Sequence, residues 1–286
     1  MNFTKMQGAG NDFVLVETEE VDRDWSQMAA AMCDRHFGIG ADGLIVLLPS
    51  KNAQFRMREF NTDGSEAEAC GNGLRCLARY IVYQGLTGAK TKEIVIETMA
   101  GLRKVNLLGA GDEVSIQVSL GKPRFMPEEV PVAIGRRGAD SKIMDYPVTI
   151  DDRQLAMSFV SMGNPHAVHF VHESVSEFPL SQLGPLIEHH QLFPNRTNFE
   201  VARVIDRGLI EARVWERGVG ETLACGSGAC AIAVIAQLHG YIDHNVHIKL
   251  PGGILNVAWD GVGEALLSGP AEVVFTGNWT NEVGGK

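Results

Sequence analysis

Apolar residues in this chain fall in short runs broken by glycine-bearing turn signals such as Asp63-Gly64, Asn72-Gly73 and Pro251-Gly252-Gly253. Runs like Glu93-Ile94-Val95-Ile96-Glu97 and Val114-Ser115-Ile116-Gln117-Val118 have the length and residue types of strands. The pattern predicts many short, mostly antiparallel strands. Four longer stretches read as helices: Trp25 to Arg35, Gly73 to Tyr83, Leu180 to His189 and Gly228 to Leu238. No run of about 18 apolar residues occurs, so the pattern is that of a soluble globular protein without a membrane-spanning helix.

The same punctuation conceals a repeat. Glu66-Ala67-Glu68-Ala69-Cys70-Gly71-Asn72-Gly73 returns 155 positions later as Glu221-Thr222-Leu223-Ala224-Cys225-Gly226-Ser227-Gly228. Each copy places Glu, then Ala-Cys-Gly-x-Gly, ahead of an apolar helical run. Gly10-Asn11-Asp12-Phe13 is echoed loosely by Gly163-Asn164-Pro165-His166 at an offset of 153. Two matches at nearly one offset imply a duplicated chain with two homologous halves. Between them, residues 122–145 carry Pro123, Pro127 and Pro131 with several glycines and charges, as a connector does. We therefore expect domains at 1–122 and 123–267.

Composition narrows the partners. Lys and Arg number 25 against 35 acidic residues, a net charge of -10 without a basic stripe, which argues against nucleic acid. The N-terminal Met1-Asn2-Phe3-Thr4-Lys5-Met6 leads into a strand-like run rather than a signal core, so cytoplasmic residence is the default expectation. The five cysteines are an odd number in a chain too large to need disulfide staples. They contain no C-x-x-C, and their spacings match no zinc site, so no metal is expected.

Cys70 and Cys225 stand at the starts of two predicted helices, where free N–H groups and the helix dipole favour a thiolate and bind carboxylates. Both thiols are expected to have lowered pKa values. Flanking glycines leave the backbone N–H groups open to a ligand. Cys33, Cys76 and Cys230 read as core filling. Two equivalent cysteines, one on each side of a carbon, suit stereoinversion, in which a thiolate removes a proton from one face and a thiol delivers one to the other. A cysteine nucleophile with a basic partner needs only one.

The ordered set Gly8-Ala9-Gly10-Asn11-Asp12-Phe13, Phe60-Asn61-Thr62-Asp63-Gly64-Ser65, Cys70-Gly71-Asn72-Gly73, Gly163-Asn164-Pro165-His166, Trp215-Glu216-Arg217-Gly218 and Cys225-Gly226-Ser227-Gly228 resembles the diaminopimelate epimerase family from end to end. The resemblance implies an α+β fold of two pseudo-symmetric domains, each a mostly antiparallel, barrel-like sheet around a central helix. It also implies an active site in the cleft between them, a last strand at 268–286 that returns to the first domain, and a homodimer. The implied reaction converts LL-diaminopimelate to the meso form without cofactor, in lysine and peptidoglycan precursor biosynthesis. Cys70 and Cys225 become acid and base, and His166 and Glu216 the groups that tune them. N–H groups near Gly71, Asn72, Gly226 and Ser227 bind the reacting carboxylate. Asn11, Asn61, Asn164 and Asn198 hold the substrate's polar groups, and Arg217 clamps the distal carboxylate.

Two departures stand out. Gly43 occupies a position where some family members carry Gln, and the usual Thr-Asn-Val-Glu-Phe reads Thr197-Asn198-Phe199-Glu200-Val201. A proline racemase or hydroxyproline epimerase is the nearest alternative of the same architecture, but proline has no distal carboxylate for Arg217. A non-catalytic thiol or ligand-binding protein on the same scaffold is the alternative of another class, and the two intact cysteines weigh against it.

Overall fold

A computed structural model describes residues 1–67, 70–109, 115–134 and 142–280. The chain divides into two compact units, Met1–Ser119 together with the chain from Ser268 onward, and Leu120–Leu267.

The first unit opens on an antiparallel hairpin, β1 (Asn2–Gly8) and β2 (Asn11–Glu17). Its two-residue turn sets Ala9 and Gly10 at φ 54° and 85°, the primed-turn geometry that matches strand twist. Helix α1 (Trp25–Cys33) follows, then β3 (Gly43–Leu48) parallel to β2, and β4 (Phe55–Asn61) antiparallel to β3. The short β5 (Glu66–Ala67) folds back on β4 and leads to α2 (Gly71–Tyr83). Strands β6 (Glu93–Thr98), β7 (Gly101–Leu108) and β8 (Ser115–Ser119) complete the run, with β6 parallel to β4.

The second unit repeats this order. After β9 (Tyr146–Ile150) come the hairpin β10 (Arg153–Ser161) and β11 (Pro165–Phe170), helix α3 (Leu180–Glu188), β12 (Asn198–Asp206) parallel to β11, and β13 (Leu209–Glu216) antiparallel to β12. Then β14 (Gly220–Thr222) lies on β13, α4 (Gly226–Leu238) follows, and β15 (Asn245–Leu250) runs parallel to β13 with β16 (Gly253–Ala258) against it. The strand β17 (Leu266–Gly269) ends the run. Each pairing named for the second unit has the sense of its counterpart in the first, so the repeat read in the motifs extends to whole supersecondary units. The last strand, β18 (Glu272–Asn278), pairs antiparallel with β1 of the first unit, from Asn2 opposite Asn278 to Gln7 opposite Glu272.

Antiparallel pairs dominate, yet each unit has two parallel ones, β2/β3 and β4/β6 or β11/β12 and β13/β15. A helix lies in the chain between the strands of every parallel pair, because joining parallel strands requires a long crossover.

Packing explains the composition of each element. Every residue of β3 is buried, a continuous apolar run that only a strand covered on both faces needs. Val14, Val16, Leu44 and Val46 pack with Trp25, Met28 and Met32 of α1, and the alternation of a strand turns Leu15 and Ile45 to the opposite face. Helix α4 packs on β10, β11, β12, β15 and β16. Its residues Ala229 through Ala236 are all buried, which suits a helix that is apolar around its whole circumference.

Several helix boundaries differ from expectation. Helix α1 stops at Cys33 rather than Arg35, because the Asp34 carboxylate turns back to accept the N–H groups of His36 and Phe37, each at 2.7 Å. Helices α2 and α4 start two residues earlier than expected, at Gly71 and Gly226, with Cys70 and Cys225 as their N-caps. The first of the expected strands at 93–97 extends to Thr98; the second is found at Ser115–Ser119, with Val114 outside the described residues. The boundary between units falls at 119/120.

The central helices set a stability test. Ile232, wholly buried in α4, should cost about 2–5 kcal/mol when cut to Ala, whereas Val262→Ala at an exposed site should cost less than about 0.5 kcal/mol, read as shifts in urea unfolding.

Candidate active site

In the first unit, Cys70 has extended backbone (φ -105°, ψ 156°) and its sulfur accepts the Gly73 N–H at 3.1 Å, as an N-cap side chain does. Asn72, in the first turn of α2, donates to the Asn11 carbonyl oxygen at 3.1 Å and accepts from Arg75 at 2.6 Å. Asn11 donates in turn to Asp42 at 2.8 Å. Asp42 also meets Arg35 at 2.8 Å, and Asp12 meets both Arg35 at 2.8 Å and Lys5 at 2.6 Å. Asn11 is thus held at both ends of its amide, by Asn72 at its oxygen and by Asp42 of this charged lattice at its nitrogen. Asn61 is exposed and donates to the Ser65 hydroxyl at 2.9 Å.

In the second unit, Cys225 is the N-cap of α4 without a side-chain capping bond, and its sulfur lies 3.5 Å from the Ser227 hydroxyl. A chain of polar groups runs behind it. Asn164 donates to Ser227 at 3.3 Å, His166 Nε2 meets the Asn164 carbonyl oxygen at 2.9 Å, and His166 Nδ1 meets the Glu200 carboxylate at 2.6 Å. His166 and Glu200 are wholly buried. Both ring nitrogens thus face oxygens, of Glu200 and of Asn164. Glu216 accepts from Thr222 at 2.5 Å. Asn198 is spent within the unit: it accepts the Arg217 backbone N–H at 2.9 Å and donates to the Pro165 carbonyl at 2.7 Å. The Arg217 side chain is exposed, with Nη1 donating to the Asn195 carbonyl at 3.2 Å.

Each unit therefore gathers its own share of the residues singled out in the sequence. Cys70, Gly71, Asn72, Asn11 and Asn61 belong to the first, and Cys225, Gly226, Ser227, Asn164, His166, Asn198, Glu216 and Arg217 to the second. Cys33, Cys76 and Cys230 are buried, and burial pushes the Cys33 and Cys76 thiols up to about 12.

One expectation is overturned. The thiols of Cys70 and Cys225 both lie above, not below, the ordinary thiol range. For Cys70 the causes are burial and then the neighbouring Glu59 carboxylate; for Cys225 they are burial, then Glu216 and, more weakly, Glu200. Desolvation of a thiolate beside carboxylates outweighs the favourable end of a helix dipole, a fraction of a charge.

The residues missed in the sequence are these carboxylates and the lattice around Asn11. Glu59 Oε2 accepts the Cys70 N–H at 3.1 Å, and Glu200 lies under the start of α4. A Cβ on Gly73 would stand 2.7 Å from Glu59 Oε2, and one on Gly228 would stand 3.0 Å from Glu200 Oε1. The second glycine of each Cys-Gly-x-Gly makes room for a buried carboxylate. Strand alternation was the available signal: Glu59 shares a face with Met57, and Glu200 with Asn198.

A two-fold repeated α+β protein with a cysteine capping the central helix of each half, backed by a buried carboxylate, has the build of an isomerase that works by proton transfer. The family model for diaminopimelate epimerase matches residues 3–126 and 158–274. Diaminopimelate epimerases of Moorella thermoacetica and Acetivibrio thermocellus are 47% and 45% identical to it, over 98% and 97% of this chain and 99% and 98% of theirs. The chain belongs to the diaminopimelate epimerase family. In fold it is also similar to a hydroxyproline epimerase from Agrobacterium vitis (TM-score 0.68, 13% identity, 97% of this chain and 91% of that one) and to a PhzF-family phenazine biosynthesis protein from Bacillus anthracis (TM-score 0.67, 17% identity, 96% and 97%).

The lattice around Asn11 has a pH signature. Although burial pushes the Asp12 carboxyl up, hydrogen bonds from Arg35 and Lys5 hold it at about 2. A carboxyl lowered on folding stabilises above its unfolded value and loses that contribution as pH falls toward the folded one. Asp12→Asn should lower stability by about 1–2 kcal/mol at pH 6, and the gap should close between about pH 4 and pH 2 in urea titrations.

Proposed function

We propose that this chain epimerises LL-diaminopimelate to the meso form, with Cys70 and Cys225 as proton carriers on opposite faces of Cα and without cofactor or metal. The observation that carries this reading is the duplicated cysteine cap, one at each central helix, in a member of this family. Inverting a carbon needs a base on one face and an acid on the other, so at any moment one sulfur is a thiolate and the other a thiol. Burial beside carboxylates makes each sulfur, once ionised, a strong base, and a Cα proton requires one. The carbanion has no electron sink in a cofactor, so its charge is met by hydrogen-bond donors. N–H groups at Gly71, Asn72, Gly226 and Ser227, at the two helix starts, suit the carboxylate on the reacting carbon.

Glu216 acts on Cys225 through its charge, while His166 acts through Asn164 and Ser227. Asn11, held by Asn72 and Asp42, and Asn61 and Asn164 serve the polar groups of the substrate. Asn198 serves by fixing the backbone of Arg217, whose exposed guanidinium suits the distal carboxylate. A distal carboxylate distinguishes this substrate from proline. Membership of the lysine and peptidoglycan precursor pathway, cytoplasmic residence and a homodimer complete the reading, all drawn from the family. Among the described residues no helix is long and apolar enough to cross a membrane.

Incubation with LL-diaminopimelate in deuterated water should yield meso product carrying deuterium at Cα, and no exchange or inversion would refute the assignment. Cys70→Ala and Cys225→Ala should each lose roughly 10²–10⁴-fold or more in turnover while staying folded. Arg217→Ala should lose about 1.5–3 kcal/mol in kcat/KM for diaminopimelate. Good turnover of proline by the unaltered protein would instead favour the racemase reading.

A further inference from the structure

The reacting cysteine of the first unit lies against a carboxylate for which the proposed reaction has no use. Glu59, on β4, is 6% exposed. It accepts the Cys70 backbone N–H at 3.1 Å, while the sulfur accepts the Gly73 N–H at 3.1 Å. Glu59 and the Cys70 sulfur thus flank one and the same glycine, Gly73, which is small enough to admit the carboxylate.

No cation lies within ion-pair distance of Glu59 among the described residues. Its neighbour on the strand, Arg58, points to the other face and pairs with Glu66 of β5 at 2.7 Å. From α2, Arg75 turns to Asn72, and Cys76 is a buried thiol. The second unit is built otherwise. There the buried carboxylate, Glu200, is met by His166 at 2.6 Å. Strand register puts His166 opposite Asn198 and Phe13 opposite Gly43, so the first unit has Phe13 where the second has its histidine. The carboxylates themselves are not repeat mates. At the motif offset of 155, Glu59 corresponds to Val214 and Glu200 to Ile45, so equivalent glycines are approached from different strands.

We propose that Glu59 is a positioning residue that holds Cys70 as a thiol in the free protein. This rests on the two-cysteine reading above. Burial pushes the Glu59 carboxyl up, and once it is ionised a thiolate formed at Cys70 would face an unpaired negative charge in a dry site. Cys70 then enters catalysis first as the acid. It gives its proton to the Cα carbanion, and the thiolate left behind is the base for the reverse reaction.

The test is peptide-resolved alkylation by iodoacetamide across a pH series, on full-length protein without substrate. It reads thiolate at Cys70 whether or not the chain epimerises anything, so its failure is separate from failure of the function. Glu59→Gln keeps the shape and the acceptor for the Cys70 N–H but removes the charge. It should raise Cys70 alkylation at a fixed neutral pH by about tenfold or more, one unit in the midpoint, with Cys33 and Cys76 as slow as before. Glu59→Asp, which keeps the charge, should restore the slow rate at least in part. Equal Cys70 rates in Glu59→Gln and the unaltered protein would overturn the proposal, as would acceleration shared by Cys33 and Cys76, which signals general loosening. Should neither variant fold, the unaltered protein decides: a Cys70 midpoint above the ordinary thiol value of about 8.5 supports the proposal, and one at or below it refutes it.

Discussion

The structure depends on placing a sulfur at the first turn of a helix that is itself buried. Free N–H groups exist only at such a turn, and the sulfur can share them only from the cap position. The helix behind the cap must then run through the inside of its unit, which is why α4 is apolar all round and why strands enclose it on several sides. The enclosing strands need cover on their outer face as well. Helices α1 and α3 supply it, with Trp25, Met28 and Met32 on one sheet and Leu183 and Ile187 on the other.

Burial of the helix start carries an electrostatic consequence. A sulfur near a helix N-terminus in water would be a mild acid, but in a dry site with a carboxylate beside it the thiol form is favoured. In the proposed reaction, chemistry at an α-carbon gains from this arrangement, since a thiolate that is costly to form is also eager for a proton. Glycine at 73 and 228 is part of the same solution, because a side chain there would strike the carboxylate.

Duplication supplied two such helix starts, and divergence made them different. One half keeps a histidine between Asn164 and Glu200, while the other has Phe13 in that strand position and an uncompensated Glu59. The lattice of Lys5, Asp12, Arg35 and Asp42 is likewise a feature of the first half, where it holds Asn11 beside Asn72.

The sequence by itself determined the two-fold organisation, the positions of the central helices and the identity of the two cysteines. Those properties live in local order: a Cys-Gly-x-Gly turn ahead of an apolar run says where a helix starts and what caps it. It also carried the family's ordered motifs, spread across both halves. That most strands pair antiparallel was legible; which pairs are parallel, β2/β3 and β4/β6 and their counterparts, was not, because a short apolar run is the same whether its neighbour is parallel or antiparallel. Nor was the ionisation of the cysteines. Dipole and cap are local and argue for a thiolate, whereas the deciding terms are burial and the carboxylates of Glu59, Glu216 and Glu200. Glu59 and Glu200 stand 11 and 25 residues from the sulfurs they adjoin and are brought there only when sheet and helix pack. Electrostatic free energy depends on distance in space and on the solvent removed between the charges, and neither quantity is written along the chain.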